Sequence, residues 1–313
     1  MYHHLPDWLT SVINQERVRV VHESFFEDTL LKKETPNDFE LEWQEHEAKK
    51  MSRTWGFNAA QRVEQLLIET DTTLEALSRL TVLDAGCGNG LLTEAIAKHG
   101  AKVLGVDLIN NLAQITQDRK RVENLAYLHA DINDLPLQPA SFDLIVSNGV
   151  LHHTPNTKEA FLKVARLVKP GGKLYIWLYR RPFTLKNKLL LYAADSLRYV
   201  VARLPRNVQK TVIESITKAF HALSRLRKGS NTAKDYNDLL LDVYDSFTPR
   251  YRHYHHPVEV AGWFHEAGYG SPVLSHWDNR FGFGMYAVKG GKKTAPAGEN
   301  FGRQDFDANL HLR

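Results

Sequence analysis

One cysteine, Cys87, stands among 313 residues. A lone thiol excludes an intrachain disulfide framework and any zinc cluster built on cysteines, and it makes a reducing, cytoplasmic setting the natural expectation. Apolar residues never run for the roughly 18 positions that a spanning helix needs, so no transmembrane segment is expected. Residues 1–14 lack the basic flank and long apolar core of a secretory signal. No internal repeat is visible. The apolar share, 43 %, is ordinary for a globular chain, and the length suits one large domain or one domain with additions.

Net charge is modest overall, +4, and unevenly placed. Residues 180–228 hold twelve Lys or Arg against two acids, Asp195 and Glu214, a net of +10; the whole chain is +4, which leaves −6 for the rest. Two apolar stripes at helical spacing cross this stretch, Leu185, Leu189, Ala193, Leu197, Val200 and Leu204, then Val208, Val212, Ile216, Phe220 and Leu223. They predict two amphipathic helices with basic polar faces over 185–204 and 207–226. Three readings stay open: a cap over a binding site with a solvated basic face, attraction to an anionic membrane surface, and RNA binding. The aromatics Phe183, Tyr192, Tyr199 and Phe220 fall at apolar positions rather than on an exposed stacking platform, which disfavours nucleic acid.

The most informative stretch is Val82-Leu83-Asp84-Ala85-Gly86-Cys87-Gly88-Asn89-Gly90. An apolar run at 80–83 ends at an acid, three glycines follow at alternate positions, and 91–99 reads as a helix. Strand, glycine turn and helix form a nucleotide pocket at the carboxyl end of a parallel strand. The acid would repel a pyrophosphate and suits a cationic or amine-bearing ligand. Further strands are predicted at 101–106, closing on Asp107, at 125–129, followed by Asp131-Ile132, at 142–146, and at 173–179 after Val168-Lys169-Pro170-Gly171-Gly172. Alternating strands and helices imply right-handed crossovers and a parallel sheet. The continuous apolar runs Val103–Val106 and Leu144–Val146 suit strands buried on both faces.

In these landmarks the chain resembles the class I S-adenosylmethionine (SAM) methyltransferases, over roughly residues 57–180 and 257–290. Asp84, Gly86, Gly88 and Gly90 match the family's acid-x-Gly-x-Gly-x-Gly turn, whereas Leu91 breaks the dinucleotide G-x-G-x-x-G pattern. The resemblance implies an α/β, doubly wound, Rossmann-like seven-stranded sheet whose last hairpin is antiparallel, with an N-terminal helical lid and a helical insert. It implies SAM as cofactor: Asp84 and the glycines at its methionine part, Asp107 on both ribose hydroxyls, and Asp131 with Ile132 at the adenine. Cys87, Asn89, Leu108, Ser147 and Asn148 complete the expected cofactor site. The expected organisation is an N-terminal helical extension (1–55), the SAM-binding core (56–181), the basic insert with a His-rich loop (182–256), the rest of the core (257–290) and a flexible tail (291–313). Residues 22–31 and 39–50 read as helical within the extension, and 236–244 as a short helix within the insert. Helix 258–267 and strands 273–277 and 283–288 close the fold.

After the fourth predicted strand the chain reads Ser147-Asn148-Gly149-Val150-Leu151-His152-His153, not the Asn/Asp-Pro-Pro-aromatic of many base- and amide-nitrogen methyltransferases. It looks like the small-molecule branch that includes the quinone-biosynthesis and natural-product enzymes. The implied activity is methyl transfer to oxygen or carbon of a small or lipid-like acceptor; an RNA-binding methyltransferase and a non-catalytic SAM-binding protein are the alternatives. Candidate acid–base groups are His152 and, in the loop 247–257, Tyr251, His253 and His255, since imidazoles titrate near neutrality. His253-Tyr254-His255-His256 could in principle ligate a metal, but no helical i,i+4 histidine pair supports this, so no metal is expected. The acceptor and the oligomeric state are not legible.

Overall fold

In the computed structural model, residues 6–22, 24–31, 39, 42–43, 46, 53–54, 57–110, 112–117, 122–228, 235–275 and 281–290 are described. Helix α1 (Asp7–Thr10), the hairpin β1 (Val18–His22) and β2 (Phe25–Asp28), and the short pair β3 (Arg53–Thr54) and β4 (Phe57–Asn58) come first. Then follow α2 (Ala59–Glu69), α3 (Leu74–Leu77), β5 (Thr81–Ala85), α4 (Leu91–Lys98), β6 (Lys102–Asp107), α5 (Leu112–Gln117), β7 (Leu125–His129), β8 (Phe142–Asn148), α6 (Thr157–Ala165) and β9 (Val168–Tyr179). The insert is α7 (Leu185–Val201), α8 (Arg206–Lys228) and α9 (Tyr236–Phe247); α10 (Pro257–Glu266), β10 (Val273–Leu274) and β11 (Gly282–Val288) end the fold.

The sheet runs β1-β2-β7-β6-β5-β8-β9-β11-β10. Strands β7, β6, β5, β8 and β9 run parallel to one another, β11 is antiparallel to β9, and β10 is antiparallel to β11. The seven expected strands therefore form the expected α/β arrangement. Period-two alternation sends Leu83, Leu104, Ile145 and Ile176 to one face, against Phe161 of α6 and Phe264 of α10. It sends Val82, Val103, Leu144 and Tyr175 to the other, against Val63 of α2 and Ile96 of α4.

Four expectations are corrected. First, 22–31 is not helical. Phe25 and Phe26 are buried, and β2 adds in parallel to the β7 edge, so the sheet has nine strands rather than seven. The run Val18-Arg19-Val20-Val21 carries the β-branched residues that favour strand over helix. Second, β9 begins at Val168, because Phe142 pairs with Val168 before the Pro170-Gly171-Gly172 bulge and Leu144 then pairs with Lys173. Third, no residue of α7 or α8 lines either of the two cavities at the strand ends; from the insert α9 contributes Asp242, Asp245 and Ser246, and the insert has its own small core of Val201, Ile213, Leu240, Val243 and Tyr244. Fourth, Phe183, Tyr192, Tyr199 and Phe220 are solvent-facing, at 61, 66, 57 and 49 % exposure. Of the segment 39–50, Glu42, Trp43 and His46 are helical; its other residues apart from Phe39, like Trp55, Trp277 and the tail 291–313, lie outside the described residues. Among the described residues no helix is long and apolar enough to cross a membrane.

Candidate active site

The strand carboxyl ends open onto two adjoining cavities. The first, of about 320 Å³, begins at the glycine turn. Gly86 and Gly88 have φ of +89° and +55°, a region that disfavours side chains. A Cβ on Gly88 would stand 2.3 Å from Trp43 Cζ2, so bare backbone is needed where the N-terminal segment crosses the turn. The Gly86 and Cys87 amides both donate to Val106 O, which ties the turn to β6.

Asp107, at the end of β6, is a hub for this wall. Its Oδ2 accepts from Gly88 N at 2.7 Å, and its Oδ1 accepts from Leu108 N at 2.7 Å and Ile109 N at 3.2 Å. Burial raises its pKa, and the three amides oppose the rise. Asp131 Oδ1 accepts from the Asn133 amide and side chain, both at 2.8 Å, which holds the Asp131–Ile132 turn against the same cavity. Glu42 reaches the cavity from the N-terminal segment. It is 1 % exposed, and its Oε2 has no hydrogen-bond partner. Burial, then the neighbouring Asp245, Asp242 and Asp107, push its pKa well above the usual carboxylate range.

The expected cofactor residues divide in two. Gly86, Gly88, Asp107, Leu108, Asp131, Ile132 and Asn148 line this cavity. Asp84, Cys87, Asn89, Gly90 and Ser147 stand behind it. Asp84 Oδ2 accepts from Thr93 Oγ1 at 2.7 Å beneath the turn, and burial pushes its pKa up to about 6. Cys87 is buried; Asn89 Nδ2 meets His46 Nδ1 at 3.0 Å; Tyr127 donates to Gly90 O at 3.3 Å; Ser147 donates to Ala85 O at 3.0 Å. These five support the turn from behind.

The second cavity, of about 420 Å³, shares Asn148, Gly149 and Asp245 with the first. Gly149 has φ of +81°, and a Cβ there would meet nothing within 4 Å, so the backbone borders open space between the two. Trp177 and Tyr179, with centroids 5.5 Å apart, form an aromatic wall. His152 is fully buried in this wall, 4.2 Å from the Tyr179 ring, and neither ring nitrogen has a partner. Burial, then the charges of His153 and Arg252, hold its pKa well below that of a free imidazole. Asp245, from α9, accepts from the Tyr179 hydroxyl and faces His153 Nε2 at 3.4 Å; His153 Nδ1 contacts Tyr251 O at 2.9 Å.

Of the candidate acid–base residues, His152 lines the second cavity and Tyr251 the first, while His253 and His255 line neither. His253 Nε2 binds Thr154 O at 3.1 Å, and His255 packs on Trp263 and pairs with Glu259. Sequence reasoning missed Glu42, Trp43, Asp245, Arg62 and Arg252. Tyr179, at the carboxyl end of a core strand, carried a signal that the strand-end rule could have used; the expected N-terminal lid pointed to its segment without singling out Glu42, and the residues of α9 carried no signal.

A glycine turn followed by two strand-end acids around one cavity defines a nucleoside-binding α/β protein of the methyltransferase type. Residues 83–176 match the family described as a methyltransferase domain. The ubiquinone biosynthesis O-methyltransferase of Coxiella burnetii (strain Dugway 5J108-111) is 39 % identical over 127 residues, 40 % of this chain and 53 % of that protein. The enzyme of the same name from Paracidovorax citrulli (strain AAC00-1) is 31 % identical over 189 residues, 57 % of this chain and 73 % of that protein. The chain belongs to the class I SAM-dependent methyltransferases. It spans about half the length of the curated relatives it matches first. The crystal structure of magnesium protoporphyrin IX methyltransferase from Synechocystis PCC 6803 with bound SAH aligns with a TM-score of 0.43 and 15 % identity, covering 82 % of this chain and 90 % of that one.

The first cavity fits the family's cofactor on its own evidence. Glu42, Asp107, Asp131 and Asp245 stand against one guanidinium, Arg250, so the lining favours a cationic ligand. Gly86 and Gly88 offer backbone where a Cβ would collide with Val150 or Trp43.

Proposed function

We propose that the chain transfers a methyl group from SAM to oxygen or carbon of a small or lipid-like acceptor. One observation carries this: the glycine turn, Asp107 and Asp131–Ile132 line a single acid-rich cavity that meets a second, aromatic cavity at Gly149. In this reading Asp107 takes the ribose, Asp131 and Ile132 the adenine, and the turn with Asn148 the methionine part. SAM supplies a methyl group already activated by its sulfonium. The protein's tasks are to align the acceptor and to remove its proton. His152 suits the second task. Buried and neutral, it presents one ring nitrogen as a hydrogen-bond acceptor to whatever lies against Trp177 and Tyr179. Asp245 positions Tyr179 and His153 at the junction of the cavities. Trp43 and Glu42 line the donor cavity, Trp43 against Gly88, and in this reading they act as part of a lid over the turn.

The test is direct. Calorimetry should find SAM and SAH binding, and labelled SAM with a cell extract should give a labelled product identifiable by mass spectrometry. Protein that bound nicotinamide or flavin nucleotides, and neither SAM nor SAH, would refute the proposal. Asp107→Ala should weaken SAH binding by about 10- to 100-fold, the scale of a lost charge-assisted contact. Because Asp107 also holds three amides, the same change should loosen the turn, which Asp107→Asn should do less.

A second reading concerns location, and α7 favours it. Leu185, Leu189, Tyr192 and Val200 follow one side of the helix and are 56 to 73 % exposed within a stretch of net charge +10. An apolar stripe beside basic residues fits a helix lying on an anionic bilayer surface, where a lipid-like acceptor would reside.

A further inference from the structure

We propose that the second cavity takes a flat-ring acceptor bearing an anionic oxygen group, held by Arg252 and Arg62 beside the hydroxyl that faces His152. This deepens the methyltransferase reading and rests on it. Three observations carry it. The walls are aromatic, Phe57, Trp177 and Tyr179, which suits a planar ring stacked or set edge-on. Arg252 is braced by its own contacts: its Nη1 donates to Ser246 O at 3.1 Å and its guanidinium lies 4.5 Å from the Tyr179 ring centroid. Yet its Nε–H is buried with no acceptor. A buried unmet donor on a fixed guanidinium calls for an oxygen from a ligand.

Arg62 supplies the second positive group on this wall. Burial lowers its pKa, and Tyr175, Asp84 and Glu69 oppose the fall. Two carboxylates share the lining, Asp242 and Asp245. Asp245 has one oxygen on the Tyr179 hydroxyl and the other toward His153, so it is already committed at the junction with the donor cavity. Asp242 also borders the cavity, and what places the anionic group with the guanidiniums is the unmet donor on Arg252. The neutral, partnerless His152 takes the acceptor's hydroxyl, whose proton it accepts as the oxygen is methylated.

Binding to SAH-saturated protein tests this without turnover. The probes are 2-, 3- and 4-hydroxybenzoate, with the matching hydroxybenzamides as neutral counterparts, measured by calorimetry. At least one hydroxybenzoate should bind about 10-fold or more tightly than its amide. Arg252→Gln should erase that preference while SAH affinity stays unchanged. Should Arg252→Gln unfold the protein, Arg62→Gln and the acid-against-amide comparison on the unaltered protein decide instead. Amides that bind as well as acids, an acid preference that survives both substitutions, or no binding by any hydroxybenzoate overturns the proposal. Failure of SAH to bind refutes the methyltransferase reading itself, so the two failures are distinguishable.

Discussion

Glu42 joins a buried, partnerless carboxylate oxygen to a cavity already rich in acid. Its raised pKa means that the empty protein holds it protonated well above the usual carboxylate range. A cation in the cavity favours the ionised form, so SAM binding should release a proton over that range. SAH, which has no sulfonium, should release less. Calorimetry in buffers of different ionisation enthalpy reads this directly, and Glu42→Gln should remove the difference; equal proton release with both ligands in the unaltered protein would contradict it. Asp84 gives a second pH signature. Its carboxyl is raised to about 6 from 3.8. Between those values the folded protein binds more protons than the unfolded chain, so stability falls as pH rises through about 4 to 6 and is level above. The fall should amount to about 2–3 kcal/mol in ligand-free protein. Urea unfolding of Asp84→Asn should lack it, and an identical pH profile in both proteins would show that Asp84 is not the source. Both residues bear on what could be read beforehand. Asp84 was legible as a motif acid, but its place beneath the turn depends on Thr93, a contact made only in three dimensions. Glu42 was not legible, because nothing local distinguishes one acid in a charged segment from its neighbours.

Among the elements, the parallel core was legible because its strands are continuous apolar runs ending at acids or glycines, and the structure keeps β7 at the residues predicted. The hairpin of β1 and β2 was misread. Five residues of β1 and four of β2 are too few for either periodicity to declare itself, and what makes them strands is the open edge of β7. In the insert the helices were found, but not the direction of their apolar stripes. Periodicity shows that a stripe exists and cannot show whether protein or solvent lies beyond it. Here α7 buries Val201 and leaves Leu185, Leu189 and Tyr192 in water. Fully burying side chains of this size is worth about 1.5–3 kcal/mol each, so a surface that covers them gains appreciably. The expected result is co-sedimentation with anionic vesicles that weakens with salt and is lost in Leu189→Glu/Tyr192→Glu, with SAH affinity retained. Equal binding to neutral and anionic vesicles would remove the charge argument, and no binding to either would remove the membrane reading.

At the scale of the whole molecule, stability is distributed over three cores, two on the sheet faces and a smaller one inside the insert. The large cores close on strands with ladder bonds on both sides. The small one rests on a few residues of α7, α8 and α9, with much of α7 and α8 in solvent. Units with few buried apolar contacts open at lower free energy than the global transition, so α7 and α8 should exchange amide hydrogens well before β5, β6 and β8. Helix α9 is the exception that couples the two parts. It belongs to the small core through Leu240, Val243 and Tyr244, yet its Asp245 borders both cavities and meets Tyr179 and His153. A ligand bridging the glycine turn and Asp245 binds only when α9 is in place, so it must stabilise α9 by mass action, by about 2.7 kcal/mol at a hundredfold excess over its dissociation constant if α9 opening abolishes binding. Hydrogen exchange followed by mass spectrometry should therefore show SAH slowing exchange in the segments holding 84–90 and 240–247, with 206–226 much less affected. Protection confined to the glycine turn would mean that α9 moves independently of the donor cavity, and the insert would then be an appendage to the site rather than one of its walls.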